Sequence, residues 1–223
     1  MTEDGSRYNF DGLVVFDLAN NHQGDIDHGC RIIRAMGEQA AKHGVKAAMK
    51  FQFRQLDTFI HKAHLDGSSN KHVSRFLSTR LDLDGVQKLF DEVKAAGLLS
   101  MCTPFDEESV DVIQDMGFDI LKIASCSAAD WPLLEKATGT GLPIVCSTGG
   151  LDLSQVDDLN SFFNHRGVDF ALMHCVSVYP TPANMLELNQ IDLFRNRYPE
   201  PPIGWSTHED PDSLGPVQVA VAK

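Results

Sequence analysis

The stretch "LLSMCTPFDEESVDVIQDMGFDILKIASCS", Leu98 to Ser127, decides the fold. It opens on an apolar run, Leu98 to Thr103, passes into a segment with acids in its first turn and Gly117 at its end, and resumes with a second apolar run, Ile120 to Ser125. Acids favour a helix N-terminus and glycine a helix stop, so the middle reads as a helix between two strands. Both flanking runs are nearly continuous rather than alternating, as expected of parallel strands covered on both faces.

The same rhythm extends in both directions. Further strands are expected at Leu13 to Ala19, Ala47 to Phe51, Pro143 to Ser147, Phe170 to Cys175 and Pro202 to Ser206. Helical spacing recurs between them. Val86, Leu89, Phe90 and Val93 share one face in "LDGVQKLFDEVKAAGL", which stops at Gly97, and "CRIIRAMGEQAAKHG" stops at Gly44. "DLSQVDDLNSFFNHRG" has Asp152 or Ser154 as its cap and Gly167 as its stop, and "PDSLGPVQVAVAK" reads as a final helix.

Right-handed βα repeats leave the eightfold barrel and the doubly wound open sheet. A dinucleotide-binding sheet needs G-x-G-x-x-G after the first strand, and that place holds "LANNHQGD". The expected fold is therefore an α/β TIM-type (β/α)8 barrel, truncated before an eighth strand, with residues 1–223 as one barrel domain. The first and seventh strands are then expected to expose edges.

A chain of 223 residues with 43% hydrophobic content can bury one sizeable core. No run approaches the roughly 18 apolar residues of a membrane span, and "MTEDGSRYNFDG" has neither the charged start nor the apolar centre of a secretory leader. A soluble, cytoplasmic protein is expected. Its five cysteines (Cys30, Cys102, Cys126, Cys146, Cys175) are odd in number and show no C-x-x-C spacing, which speaks against a disulfide framework or zinc knuckle. A net charge of -12 opposes partnership with nucleic acid or an anionic membrane. The basic stretch "HKAHLDGSSNKHVSRFLSTR", with Lys62, Lys71, Arg75 and Arg80, overlaps a polar excursion from Asp57 to Thr79 and reads as a solvated face or as a cover for the mouth.

In a barrel, chemistry sits at the C-terminal ends of the strands. Those ends supply Asp17, Asn20, Asn21 and His22, then Lys50 and Gln52, Thr103 and Phe105, and Lys122, Ser125 and Ser127. Ser147 and Thr148, Ser177 and Tyr179, and Ser206 and His208 follow. Lys50 and Lys122 are the sharpest of these. An ammonium buried without a partner costs several kcal/mol, so each must meet an anion. That anion is either an internal carboxylate such as Asp17 or a phosphate- or carboxylate-bearing ligand, with Thr103, Ser125 and Ser147 as hydroxyl donors. A barrel lysine of lowered pKa also serves Schiff-base aldolases. His208 is a candidate metal ligand or acid/base, weighed against a hydrogen-bonded loop residue. His174 reads as a satisfied core histidine, and the strand-end cysteines read as small hydrophobes.

The segments "FDLANNHQGD", "AAMKFQ", "CTPFDEESVD", "LKIASCS", "VCSTGG", "MHCVSVYPTP" and "IGWSTH", in this order, resemble the N-acetylneuraminate (sialic acid) synthase family. The resemblance implies condensation of phosphoenolpyruvate with an N-acylated sugar, such as N-acetylmannosamine, to a nonulosonic acid with release of phosphate. It implies that Lys50, Lys122, Thr103, Ser125, Ser147 and Ser206 surround phosphoenolpyruvate, that Tyr179 matches the Y-P-T-P tyrosine, and that Gln52 lies near the sugar. It further implies a divalent metal, Mn2+ or Mg2+, held partly by His208 and acting as Lewis acid, together with a homodimer. The pattern departs from the family at three points: Asp17 replaces a glutamate, Ser127 stands where a sugar-side glutamate is usual, and Thr207 replaces the aspartate before His208. An acylated sugar related to N-acetylmannosamine is the expected acceptor. The second metal histidine and the C-terminal antifreeze-like domain of the family have no counterpart in these residues, so a poorly active or purely anion-binding form is the alternative.

Overall fold

The computed structural model describes residues 7–65 and 69–223. Of the stretches read above, residues 1–6 of the N-terminus and residues 66–68 of the basic excursion lie outside the described residues. The chain divides into two compact units: Gly12–Leu121, and Lys122–Lys223 with the described residues up to Asp11.

The first unit runs β1 (Val14–Asp17), α1 (Ile26–His43), β2 (Ala47–Phe53), α2 (Leu56–Phe59), α3 (Lys71–Ser78), α4 (Leu83–Ala95), β3 (Leu99–Pro104) and α5 (Glu107–Asp115), and ends within β4 (Ile120–Ile123). All its pairings are parallel: Asp17 stands beside Lys50, Gln52 beside Thr103, and Cys102 beside Leu121. The caps follow the sequence, with the Asp25, Asp82 and Asp106 carboxylates accepting from the amides of His28, Gly85 and Ser109 to start α1, α4 and α5. The unit's core closes on Phe118, whose ring meets Phe51 at 5.5 Å and Phe90 at 4.9 Å between centroids. Burying one such ring contributes about 1.5–3 kcal/mol.

The second unit continues with α6 (Trp131–Thr138), β5 (Ile144–Ser147), α7 (Leu153–Arg166), β6 (Phe170–Cys175), α8 (Asn189–Arg197), β7 (Ile203–Ser206) and α9 (Gly215–Ala222). Its pairings are parallel as well, Ser147 beside Met173 and Cys175 beside Ser206. Asp152 rather than Ser154 caps α7, in a reciprocal box with Gln155, and Gly167 at φ 67° closes it in the left-handed conformation that a side chain disfavours. Tyr8 and Asp169 tie the N-terminal residues to this unit through a 2.9 Å bond from the Tyr8 amide.

The seven expected strands are thus all present, in an α/β arrangement of the TIM-barrel type. β4 and β5 are wholly buried, whereas every residue of β7 is partly exposed and Val14 of β1 is 41% exposed. The polar excursion is not a bare loop: it holds α2, a short turn of 3-10 helix at Lys62–His64 and α3, and Arg80 returns to Asp57 in a bidentate pair at 2.9 and 3.0 Å. Among the described residues no helix is long and apolar enough to cross a membrane.

Candidate active site

Two strand ends of the second unit build a nest of hydroxyl groups around a cation. β4 delivers Lys122, 6% exposed, with its Nζ donating to Ser147 Oγ at the end of β5 and to the Ile123 carbonyl at 3.3 Å. The chain turns tightly after β4 through a 3-10 turn, Ser125–Ser127. Ser125 Oγ accepts the Gly149 amide at 3.0 Å and donates to Cys175 Sγ at 3.5 Å. Gly149 is required by space: a β-carbon there would stand 2.6 Å from Ser177 Oγ and 3.0 Å from both Ser125 Oγ and Cys175 Sγ. Thr148 instead anchors its loop, its Oγ1 donating to the Met173 carbonyl at 3.0 Å.

Beside this nest lies an aromatic and imidazole pair. Tyr179, 74% exposed, stacks on His208 with centroids 3.9 Å apart, and its hydroxyl reaches His208 Nε2 at 2.5 Å. His208 Nδ1 meets the Val176 carbonyl at 2.6 Å. A carbonyl only accepts, so Nδ1 carries hydrogen and Nε2 takes the tyrosine hydroxyl proton as acceptor. Cys175 Sγ lies 3.5 Å from His208 Nδ1. Burial pushes this thiol up, but its bonds with His208 and Ser125 outweigh burial and leave it below the ordinary thiol value. Cys146, deep in β5, is instead pushed up to about 12 by burial and is inert.

The first unit carries its own cluster. Lys50 of β2 pairs with Asp17 of β1 at 3.0 Å, across the register that sets the two residues side by side. The side chains are 16% and 49% exposed, so this pair faces solvent on its acid side. The internal-carboxylate alternative for Lys50 is realised. Thr103 is buried beside Gln52 in the ladder. Gln52 Oε1 accepts from Arg54 Nη2 at 2.7 Å, and Phe105 covers that guanidinium at 4.2 Å. His22 is buried, its Nδ1 accepting the Gly24 amide at 3.0 Å, and burial holds its pKa below the ordinary histidine value.

The structure therefore gathers Lys122, Ser125, Ser147, Ser177, Tyr179 and His208 in one unit, and Asp17, Lys50, Gln52, Thr103 and Phe105 in the other. Ser206 ends β7 beside Cys175, and Ser127 is buried in the turn with its hydroxyl 3.9 Å from Cys126 Sγ. Sequence reading passed over Gly149, whose need for space depends on Ser125, Cys175 and Ser177 from other segments. It also passed over Arg54 and the Cys175–His208 contact, which join residues remote in the chain.

The donor set does not make a metal centre by itself. Among the described residues no three His, Cys, Asp or Glu side chains converge, and both ring nitrogens of His208 are engaged, Nε2 by Tyr179 and Nδ1 by Val176. His208 is a single candidate ligand.

The fold recurs in known proteins. The chain is 47% identical to a candidate spore coat polysaccharide biosynthesis protein E of Chromobacterium violaceum, with a TM-score of 0.91 over 95% of this chain and 63% of that one. It is 28% identical to the N-acetylneuraminic acid (sialic acid) synthetase of Leptospira borgpetersenii, solved with citrate, with a TM-score of 0.80 over 95% of this chain and 69% of that one. It is 30% identical to the N-acetylneuraminate-9-phosphate synthase of Drosophila melanogaster over 88% of this chain and 54% of that protein. The chain thus spans between about half and two-thirds of the length of these relatives. The NeuB family model matches residues 36–222, and the chain belongs to the NeuB family.

Proposed function

We propose that this chain is the barrel part, one domain over residues 1–223, of a synthase that condenses phosphoenolpyruvate with an N-acylated sugar to a nonulosonic acid and releases phosphate. The observation that carries the reading is Lys122, a lysine buried in β4 whose Nζ is bonded to the Ser147 hydroxyl at the end of β5. Taking an ammonium out of water costs several kcal/mol, a cost that anionic partners offset best. A phosphate or carboxylate arriving there recovers it through charge-assisted bonds. Names of relatives that make N-acetylneuraminate or its 9-phosphate support the substrate class.

In this reading the third carbon of phosphoenolpyruvate forms a bond to the aldehyde carbon of the open-chain sugar, water adds at the second carbon, and phosphate leaves. Lys122, Ser125 and Ser147 hold the anionic end in register, and Lys50 adds charge with Asp17 beside it. Tyr179 and His208 form a hydrogen-bonded pair able to hold a proton at Nε2, while Gln52, Thr103, Phe105, Ser127, Ser177 and Ser206 line the substrate positions. No step is assigned to Mn2+ or Mg2+, for which these residues supply one ligand. A homodimer acting in the cytoplasm completes the proposal.

The test is a phosphate-release assay with phosphoenolpyruvate and a panel of N-acylated hexosamines, with and without manganese. Phosphate released in step with loss of one acceptor is the expected result. Tight phosphoenolpyruvate binding with no release for any acceptor overturns synthase activity in favour of an anion-binding barrel. A borohydride-trapped adduct on Lys50 or Lys122 overturns it in favour of an aldolase.

A further inference from the structure

Arg54 has no role in the chemistry above, yet its guanidinium is enclosed by aromatic rings of the first unit. It lies one residue past the end of β2, and its guanidinium carbon sits 4.2 Å from the ring centroids of Phe76 and Phe105 and 5.8 Å from that of Phe59. The Phe59 ring meets the other two edge-on at 6.2 Å each. These rings come from α2, α3 and the segment after β3, so three separate parts of the chain close on one guanidinium. Stacking on aromatic faces fixes the plane of the fork and hence the direction of its donors.

That fixed fork decides how Gln52 is turned. Arg54 Nη2 lies 2.7 Å from Gln52 Oε1. A guanidinium only donates, so the amide must present its oxygen to Arg54; the flipped amide would set donor against donor. The NH2 end of Gln52 is then the end left to meet a visitor. Gln52 and Arg54 both line a cavity of about 560 Å3, and His22 lines it too. His22 Nδ1 is occupied by the Gly24 amide, so the neutral ring carries its hydrogen on Nε2 and is also a donor. Asp82, the carboxylate of the lining, spends Oδ1 on the Gly85 amide at 2.8 Å. The lining is biased towards donors and suits a ligand group rich in lone pairs.

We propose that Arg54 is a positioning residue of the acceptor subsite: it locks the Gln52 amide so that its NH2 donates to a carbonyl or hydroxyl oxygen of an N-acylated sugar. The proposal rests on the function proposed above and adds to it the residue that fixes acceptor orientation. Arg54 acts through Gln52, so loss of Arg54 weakens acceptor recognition while leaving the phosphoenolpyruvate side in place.

Two variants and two readouts test it. Arg54→Met keeps an unbranched apolar side chain among the rings and removes the donor; Arg54→Lys keeps one donor. At saturating phosphoenolpyruvate, Arg54→Met is expected to raise the acceptor KM about tenfold, with kcat and the phosphoenolpyruvate KM changed less than about threefold, and Arg54→Lys recovers part of the loss. The second readout needs no turnover: N-acetylmannosamine, used as the probe, shifts the side-chain amide signals of Gln52 in the NMR spectrum of the wild-type chain but not in Arg54→Met. Turnover with an acceptor KM unchanged in Arg54→Met overturns the proposal and leaves the synthase reading standing. A Gln52 shift abolished by Arg54→Met, in a chain that turns over no acceptor, supports the positioning role and removes the synthase reading. Neither turnover nor any shift overturns both, and a fall in thermal midpoint that depresses all constants together marks Arg54 as structural only.

Discussion

Two lysines at strand ends meet opposite fates. Lys50 stands beside Asp17 in the register of β1 and β2, and its charge is answered by a carboxylate that is half in water. Lys122 lies in a strand buried along its whole length and donates to a serine hydroxyl and a backbone carbonyl. The first arrangement resembles an ordinary surface ion pair, whose two charges screen each other. The second holds the ammonium away from water, where a bound anion interacts with it most strongly. A cation buried within a strand is thus a stronger pointer to a ligand than one whose carboxylate partner faces water.

The largest effect expected from breaking this contrast is at Lys122. Lys122→Met, similar in volume, should weaken phosphoenolpyruvate binding by at least about a hundredfold in titration calorimetry, in line with the roughly 2–5 kcal/mol lost when one partner of a buried charge pair is truncated. Its thermal midpoint, measured beside binding, should move far less than the affinity does. A fall in both binding and thermal midpoint would instead make Lys122 a structural residue.

Gly149 sharpens the contrast from the hydroxyl side. Gly149→Ala sets a β-carbon 2.6 Å from Ser177 Oγ and 3.0 Å from Ser125 Oγ, and must push these groups apart. Overpacking of this kind costs about 1–3 kcal/mol, and phosphoenolpyruvate affinity should fall about tenfold with it. Gly215→Ala is the control, since a β-carbon there meets nothing within 4 Å, and its midpoint should stay close to wild type.

At the other lysine the effects shrink. Asp17→Asn removes the carboxylate partner of Lys50, and because that carboxylate is 49% exposed, denaturant titration should show a loss of no more than about 1 kcal/mol. Phosphoenolpyruvate affinity should change little, since Lys50 keeps its charge. A loss as large as that at Lys122 would place both lysines in the same class and erase the distinction.

Much of this was written in the chain, and what was not depended on contacts between distant segments. Continuous apolar runs gave the strands, and capping aspartates and terminal glycines gave helix ends within a few residues. The boundaries moved where the backbone had other uses. The run Leu13 to Ala19 stops at Asp17 because Leu18 and Ala19 both turn their amides to the Lys50 carbonyl, with Ala19 at φ 37°. The run Ile120 to Ser125 stops at Ile123 because Ser125 begins a 3-10 turn. α9 begins at Gly215 with Pro216 in its first turn, later than the polar "PDSL" suggested. Lys50, Lys122 and the serines were visible as polar residues at the ends of apolar runs. The cage around Arg54 was not, because Phe59, Phe76 and Phe105 share no spacing with it and each alone reads as core.

The smallest expected effect concerns pH and again separates the two units. His22 in the first unit is buried with Nδ1 engaged by the Gly24 amide, and burial, followed by the charge of His28, lowers its pKa below the ordinary 6.5. The sign follows from linkage: the unfolded chain binds a proton more readily than the folded one, so stability is complete above about pH 6.5 and declines as pH falls from there towards the lowered folded value. Midpoints measured at pH 7.5 and at pH 5.5, chosen to straddle the unperturbed histidine value of about 6.5, should therefore differ for wild type by more than for His22→Gln. The glutamine carries no titrating group, and its side-chain oxygen retains an acceptor for the Gly24 amide. If His22→Gln shows the same pH dependence as wild type, the decline comes from groups other than His22.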